Sequence, residues 1–341
     1  MVISTKSISG RTWHFSHAIG YHVSEVGFAS PSAIAVTPDN ILYVSNCGIS
    51  EGMGGAFANP LFQPRITKTT VEQEHICDSN TEEVLWPEGL AVDKDGNVYC
   101  ADSYSNMIFV YDSDLNLMSK WGSAGLELGK FNGPSGLAFD SEDQLLISDS
   151  MNHRIQKFTK SGKFISSWGS RGTERGLLLG PWGIATDRNQ DVYVADWGNN
   201  RVQKFSSDGE FIQAFGSLIA DGGKLNHPSD VAIDADGDVY VTDLGNNRVQ
   251  VYYPDGEIIC GLYGDDNQFS SAAQDWISAN PDYVKAFQRV DPVDLVQLGR
   301  FERPRGVAVD GRNRIAITDC MRGRVQVYVK DKDYVEPQFN L

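Results

Sequence analysis

Positive charge is what this sequence has least of: 29 Lys and Arg stand against 45 Asp and Glu, a formal net charge of −16 over 341 residues. No run of Lys or Arg exceeds two residues. A phosphate backbone or an anionic membrane surface would therefore be repelled unless cations gather from separate loops. Cysteine is scarce too. Cys47, Cys77, Cys100, Cys260 and Cys320 form an odd set without CxxC spacing, which fits reduced thiols in a cytosol better than a disulfide framework or a structural zinc. No stretch approaches the roughly 18 apolar residues of a membrane span. Residues 1 to 30 carry Lys6, Arg11 and three His where a secretory signal would have its apolar core, so a soluble, cytoplasmic protein is expected. GxSxG, a phosphate loop, a dinucleotide fingerprint, HxH and HExxH are all missing, leaving elbow-serine hydrolysis and nucleotide chemistry without support.

Turn formers and aromatics are plentiful. The chain holds 34 Gly, 13 Pro, 16 Phe, 13 Tyr and 7 Trp, with 41% apolar residues, the composition of a large core made of short strands. One phrase occurs six times: PSAIAVT from Pro31, PEGLAVD from Pro87, PSGLAFD from Pro134, PWGIATD from Pro181, PSDVAID from Pro228 and PRGVAVD from Pro304. The starts lie 56, 47, 47, 47 and 76 residues apart, which reads as one unit with two insertions. Within a unit, apolar runs of four to six residues alternate with Gly, Asp and Asn signals, predicting four antiparallel strands. Such a unit repeated about an axis is a propeller blade.

The expected fold is all-β: a six-bladed β-propeller with four antiparallel strands per blade, as a single domain over residues 1–341. Blade 1 is assigned to 31–86, blade 2 to 87–133, blade 3 to 134–180, blade 4 to 181–227 and blade 5 to 228–263. An insertion with helical spacing occupies 264–303, and blade 6 takes 304–330 plus 9–20. The N-terminal segment joins the last blade because the tail after Lys330 holds no fourth strand, whereas SGRTWHFSHAIG at 9–20 resembles the fourth-strand segment SGKFISSWGS. That closure removes the free edges of an open ring.

The phrases PSGLAFD, VYVAD and NNRVQKF resemble the NHL repeat family, and the likeness runs from about residue 9 to 330. It implies a six-bladed propeller but no one function, because that family holds enzymes, interaction scaffolds and RNA binders. A more distant similarity is to the peptidyl-hydroxyglycine amidating lyases, propellers that hold zinc with histidines from several blades. Here His17, His22, His153 and His227 are expected on loops of the corresponding face, but none follows a repeat proline. The ligand set therefore does not carry over. No cofactor is expected; a divalent metal, were one bound, would draw on His17, His22 and His227.

Antiparallel pairing puts the end of each second strand, the start of the third and the entry into the first on one side of the disc, here termed the top. Both departures from the 47-residue period fall there: Cys47 to Pro64 after the second strand of blade 1, and 264–303 between blades 5 and 6, with a helical pattern broken at Asn280-Pro281. Together they are expected to form a lid over the axial mouth.

The residue after each repeat Pro reads Ser32, Glu88, Ser135, Trp182, Ser229 and Arg305. Glu88 and Arg305, from blades 2 and 6, would serve as general base and anion anchor, or else as solvated rim charges. Tyr104 and His153 join them as catalytic candidates. Trp182 and Trp197 stand where sister repeats hold small residues and would wall an apolar or aromatic ligand, or pack between blades. Asp230, Asn46, Phe57 and Met321 complete the expected substrate contacts. Asp102, Asp149, Asp196, Asp243 and Asp319 recur at the end of the second strand, and Arg154, Arg201, Arg248 and Arg324 follow the last four of these by five positions; residues repeated in this way brace loops.

The function these residues suggest is a small-molecule enzyme of lyase, isomerase or hydrolase type with a lidded axial pocket. The alternative is a non-catalytic scaffold for a protein or peptide. A small-molecule ligand is the expected partner, with neither nucleic acid nor membrane. Glu88→Gln and Arg305→Ala are expected to spare the melting temperature.

Overall fold

The computed structural model describes residues 5–8, 11–20, 28–48, 63–80, 83–216, 223–265 and 299–331. Phe57, His22, most of the Cys47 to Pro64 excursion and nearly all of the 264–303 insertion, with its expected helix, lie outside the described residues.

Six antiparallel sheets are arranged about an axis, five of four strands and one of five. Blade 4 shows the plan, running outward through Pro181–Thr186, Val192–Asp196, Arg201–Phe205 and Phe211–Phe215. Its second strand, VYVAD, is buried at every position. A strand flanked by its own sheet and covered on both faces by neighbouring blades needs apolar side chains throughout rather than in alternation. Pairing of Pro181 with Asp196, and of Asp196 with Arg201, sets the repeat proline, the aspartate and the arginine on one edge of the sheet. Equivalent pairs recur in the other blades, so the site-bearing loops share the top.

The core is divided among the gaps between blades. Each of six apolar clusters draws on two adjacent blades, as with Leu146, Ile155, Val194 and Phe205 between blades 3 and 4. At the closing seam, Ile19, Leu42, Val44 and Val327 join blades 6 and 1. Burying each such side chain stabilises the ring by about 1.5–3 kcal/mol.

The N-terminus completes the last blade: Arg11–Gly20 pairs with Arg324–Asp331 as its outer strand. A further strand unforeseen in the sequence, Thr5–Ile8, adds outside it. Trp13 anchors the closure, buried against blade 5 with its indole N–H donating to the Tyr240 hydroxyl at 3.0 Å. Below it, the buried Lys330 ammonium meets Asp234, Asp236 and Asp238 at 2.6, 2.7 and 2.7 Å. His17, expected on a top loop, lies instead inside the Arg11–Gly20 strand, its Nε2 2.6 Å from the carbonyl oxygen of Val71.

Candidate functional site at the axial mouth

The rim of the mouth is built by one recurring turn. In blade 4, Asp196 accepts the backbone N–H of Leu179, the Asn199 amide and Arg201 Nε at 2.7, 2.8 and 2.8 Å. Asp149 repeats the set with Asn132, Asn152 and Arg154. These aspartates brace loops, as their repetition suggested. Asn46, expected to touch substrate, is the blade 1 member of the same series. It is buried, with Oδ1 accepting the Ala29 N–H at 3.0 Å and Nδ2 donating to Thr67 Oγ1 at 3.1 Å, and so is turned away from the mouth.

His153 also proves to be part of this frame. Its Nδ1 accepts the Gly180 N–H at 3.0 Å, the task done by the side-chain oxygens of Asn106, Asn200 and Asn247 toward Gly133, His227 and Arg303. Burial, reinforced by Arg171, holds its pKa below the ordinary histidine value, and the neutral ring is the form that can accept that bond. Tyr104 is 73% exposed. Neither residue lines the cavities at the axis.

The six side chains after the repeat prolines alternate small and large around the ring. The serines turn sideways and hold the next blade: Ser32 Oγ donates to the Pro87 carbonyl at 2.7 Å, Ser135 Oγ to the Trp182 carbonyl at 3.2 Å and Ser229 Oγ to the Arg305 carbonyl at 2.8 Å. The large three, from alternate blades, converge over the axis. Arg305 Nη2 lies 2.6 Å from Glu88 Oε2, with the side chains only 14% and 8% exposed. The guanidinium also lies 4.9 Å from the centroid of the Trp182 ring. Glu88 receives a second bond, at 2.5 Å, from the Trp86 indole N–H. Burial works against charge on Arg305, but Glu88 and then the Cys47 and Cys320 thiols outweigh it and raise its pKa. Glu88 and Arg305 are thus neither solvated rim charges nor two groups facing a ligand independently; they form a buried pair with each other.

Above this cap is a cavity of about 780 Å³ walled by Trp86, Trp197, His227, Met321 and the upper sides of Trp182 and Arg305. The Trp182 and Trp197 rings meet edge to face with centroids 6.0 Å apart, and His227 lies 4.3 Å from Trp197. Below the cap the channel encloses about 350 Å³, lined by the inner strands of all six blades and reached by Glu88, Trp182, Arg305 and Asp230. Asp230 occupies a position that is Gly89, Gly136, Gly183 and Gly306 in four sister blades and Ala33 in the other. Its carboxylate accepts the Val231 and Val307 N–H groups at 2.9 and 3.0 Å. Desolvation in the narrow channel exceeds the effect of those bonds and pushes its pKa up to about 7.

Trp86 is the wall residue that the sequence reading missed. At the position before the repeat proline, Ser30, Gly133, Gly180, His227 and Arg303 all have positive φ while Trp86 alone does not, a difference visible only in the structure. Cys47 and Cys320, at equivalent positions in blades 1 and 6, both reach Arg305, Cys47 Sγ lying 3.8 Å from Nη1. Burial pushes the Cys47 thiol up to about 12.

No metal set of histidines forms among the described residues. The acidic group whose spacing would suit a cation is Asp93, Asp95 and Asp143 on the opposite face, and the Lys160 ammonium already lies among them at 3.4, 2.7 and 2.6 Å. No helix among the described residues is long and apolar enough to cross a membrane.

The profile of the NHL repeat matches residues 131–158, 178–205, 225–252 and 301–328. No curated protein matches the sequence. Among solved structures, a catalytically inactive virginiamycin B lyase from Staphylococcus aureus with quinupristin is similar over 96% of this chain and 94% of that one, at 14% identity and a TM-score of 0.55. A gluconolactonase from Xanthomonas campestris is similar over 94% and 90%, at 12% identity and a TM-score of 0.60. A protein of unknown function from Bacteroides thetaiotaomicron is similar over 94% and 76%, at 17% identity and a TM-score of 0.65. At such identities the likeness is one of fold.

Proposed function

Because four blades of this six-bladed propeller carry the NHL repeat, an architecture that hosts many activities, we propose from the mouth itself that it is an enzyme acting by proton transfer on a small anionic, ring-bearing molecule. The observation that carries this reading is the Glu88–Arg305 pair, buried over the axis beneath indole rings. Replacing a buried ion pair by apolar residues is often neutral or stabilising, and three sister blades fill the same position with serine. Its chemistry is suited to a reaction. An anionic group that binds the guanidinium competes with Glu88, and a carboxylate deprived of its countercharge becomes a stronger base. Trp86, Trp182 and Trp197 supply flat apolar surface for the ring. The enzymatic lyase and lactonase neighbours share the fold and lend the reading a compatible context.

Two measurements test it: binding of the aromatic anion 1-anilinonaphthalene-8-sulfonate, and turnover of a panel of aryl-substituted lactones, esters and β-hydroxy acids. Arg305→Met should weaken probe binding at least about tenfold. Glu88→Gln should keep probe binding and lower turnover by about a hundredfold or more. Wild-type binding and turnover in both variants would refute the assignment.

A scaffold function is favoured by one specific feature, the exposed apolar rim formed by Tyr104, Leu126, Leu128 and Met151 on the top of blades 2 and 3. Under the enzyme reading, Leu126→Glu with Leu128→Glu leaves probe binding and turnover unchanged.

A further inference from the structure

The glycine layer beneath the cap contains one carboxyl group. Five of the six residues at this level are Gly or Ala, and the reason is close approach: a methyl group on Gly89 or Gly136 would strike the backbone of the next blade, Ser135 or Trp182. Asp230 breaks the pattern. Its side chain lies over Gly183 of blade 4, in the space that a β-carbon there would fill, and reaches the Val307 N–H of blade 6 at 3.0 Å. The carboxyl therefore bridges the two neighbouring blades at the channel wall.

Among the described residues Asp230 makes no ion pair, and its carboxylate accepts bonds from the backbone N–H groups of Val231 and Val307. The elements packed against it bring Arg305, Asp243, Asp196 and Arg201 to this end of the sheets, and each is paired elsewhere: Arg305 of blade 6 is turned to Glu88, Asp243 of its own blade is held by Arg248 at 2.7 Å, and Asp196 of blade 4 is held by Arg201 at 2.8 Å. Five sister blades pack at this level with Gly or Ala, so bridging neighbouring blades does not by itself call for a carboxyl with no countercharge. It lines the same cavity as Glu88, Trp182 and Arg305.

We propose that Asp230 is the proton donor of the site, delivering a proton to an oxygen of the bound molecule where it enters the channel, while Glu88, which lines the same channel, accepts one. This rests on the reading of the mouth as a reaction site. In an elimination the step balances: Glu88 takes a proton from carbon as the carbon–oxygen bond breaks, and the Asp230 O–H bond breaks as the departing oxygen becomes a hydroxyl. Exchange with channel water then returns Glu88 to carboxylate and Asp230 to acid. A pKa of about 7, set by desolvation, leaves a large fraction protonated near neutrality, as a general acid needs.

The test has two arms. Infrared difference spectra of wild type against Asp230→Asn should show a carboxylic-acid carbonyl band that titrates with a midpoint near pH 7, in wild type and unchanged in Leu126→Glu. A midpoint in the ordinary carboxylate range, about 4, overturns the proposal whatever becomes of Glu88 and Arg305. On any panel substrate that wild type turns over, Asp230→Asn should lower kcat by about a hundredfold, with KM within about threefold, and abolish the fall in kcat on the alkaline side. A variant that keeps both kcat and that alkaline limb overturns the donor role even when the infrared midpoint is met. Loss of probe binding in Arg305→Met, with the infrared midpoint unmoved, would bear on the mouth reading alone.

Discussion

Removing either partner of the Glu88–Arg305 pair leaves a buried charge without its counterion, so the expectation of an unaltered melting temperature does not survive the observed geometry. With side chains 8% and 14% exposed, Glu88→Gln or Arg305→Met should each destabilise the protein by about 3 kcal/mol in urea unfolding, and the double variant should recover most of the loss. Equal, additive losses would mean that the pair is not coupled. Asp230 carries the opposite sign. Its folded-state pKa of about 7 lies above the ordinary value of about 3.9, so the folded protein binds this proton more tightly than the unfolded chain. The stability it contributes is present in full below about pH 4 and is lost as pH rises through about 7. Comparing melting temperatures of Asp230→Asn and wild type, the difference should therefore move in the variant's favour between about pH 5 and pH 8. A constant offset across that range would show that the carboxyl titrates normally.

At the scale of the element, the recurring turn explains why His153 looked functional in the sequence and is not part of the site. Asn, Asn and Asn do the same work in blades 2, 4 and 5, and an imidazole nitrogen accepts a hydrogen bond equally well. His153→Asn should be nearly neutral in thermal unfolding, while His153→Ala, which strips the Gly180 N–H of its acceptor, should cost about 1 kcal/mol. The inner strands are less forgiving. A methyl group on Gly136 meets the Trp182 carbonyl oxygen, an immovable backbone atom, so Gly136→Ala should cost about 2 kcal/mol and also disturb the indole over Arg305. The period of the repeat and the Asp-to-Arg spacing made these turns readable from sequence. Their hydrogen bonds were not readable, because each joins residues 17 or 27 positions apart in different loops.

Across the whole molecule, stability depends on closing the ring. Residues 1–16 include Arg11, whose Nε lies 2.6 Å from Asp238 Oδ2, and Trp13, buried in the core between blades 5 and 6. Deleting them removes an aromatic core side chain, which alone is about 3–5 kcal/mol, and exposes the edge of Arg324–Asp331 to other chains. The truncated protein should aggregate or unfold at lower temperature, with faster amide exchange first in Arg324–Asp331. Unchanged exchange there would show that the strand is dispensable. The same closure builds the site. Glu88 and Arg305 are 217 positions apart in the chain, and they touch only because blade 6 returns to stand beside blade 1.

Six proline phrases, three equal intervals and an N-terminal copy of the fourth strand were enough to dictate the blades, their number and the way the ring shuts, because each is a local pattern written in the residues that form it. The alternation of Ser, Glu, Ser, Trp, Ser and Arg was also written there, but its consequence was not: side chains on alternate blades point inward to a common axis, and only the closed circle makes neighbours of them. Tertiary structure alone decided that Glu88 meets Arg305, that Trp86 joins the wall and that Asp230 sits desolvated in a layer of glycine, since proximity and loss of water belong to the assembled ring and not to any stretch of its sequence.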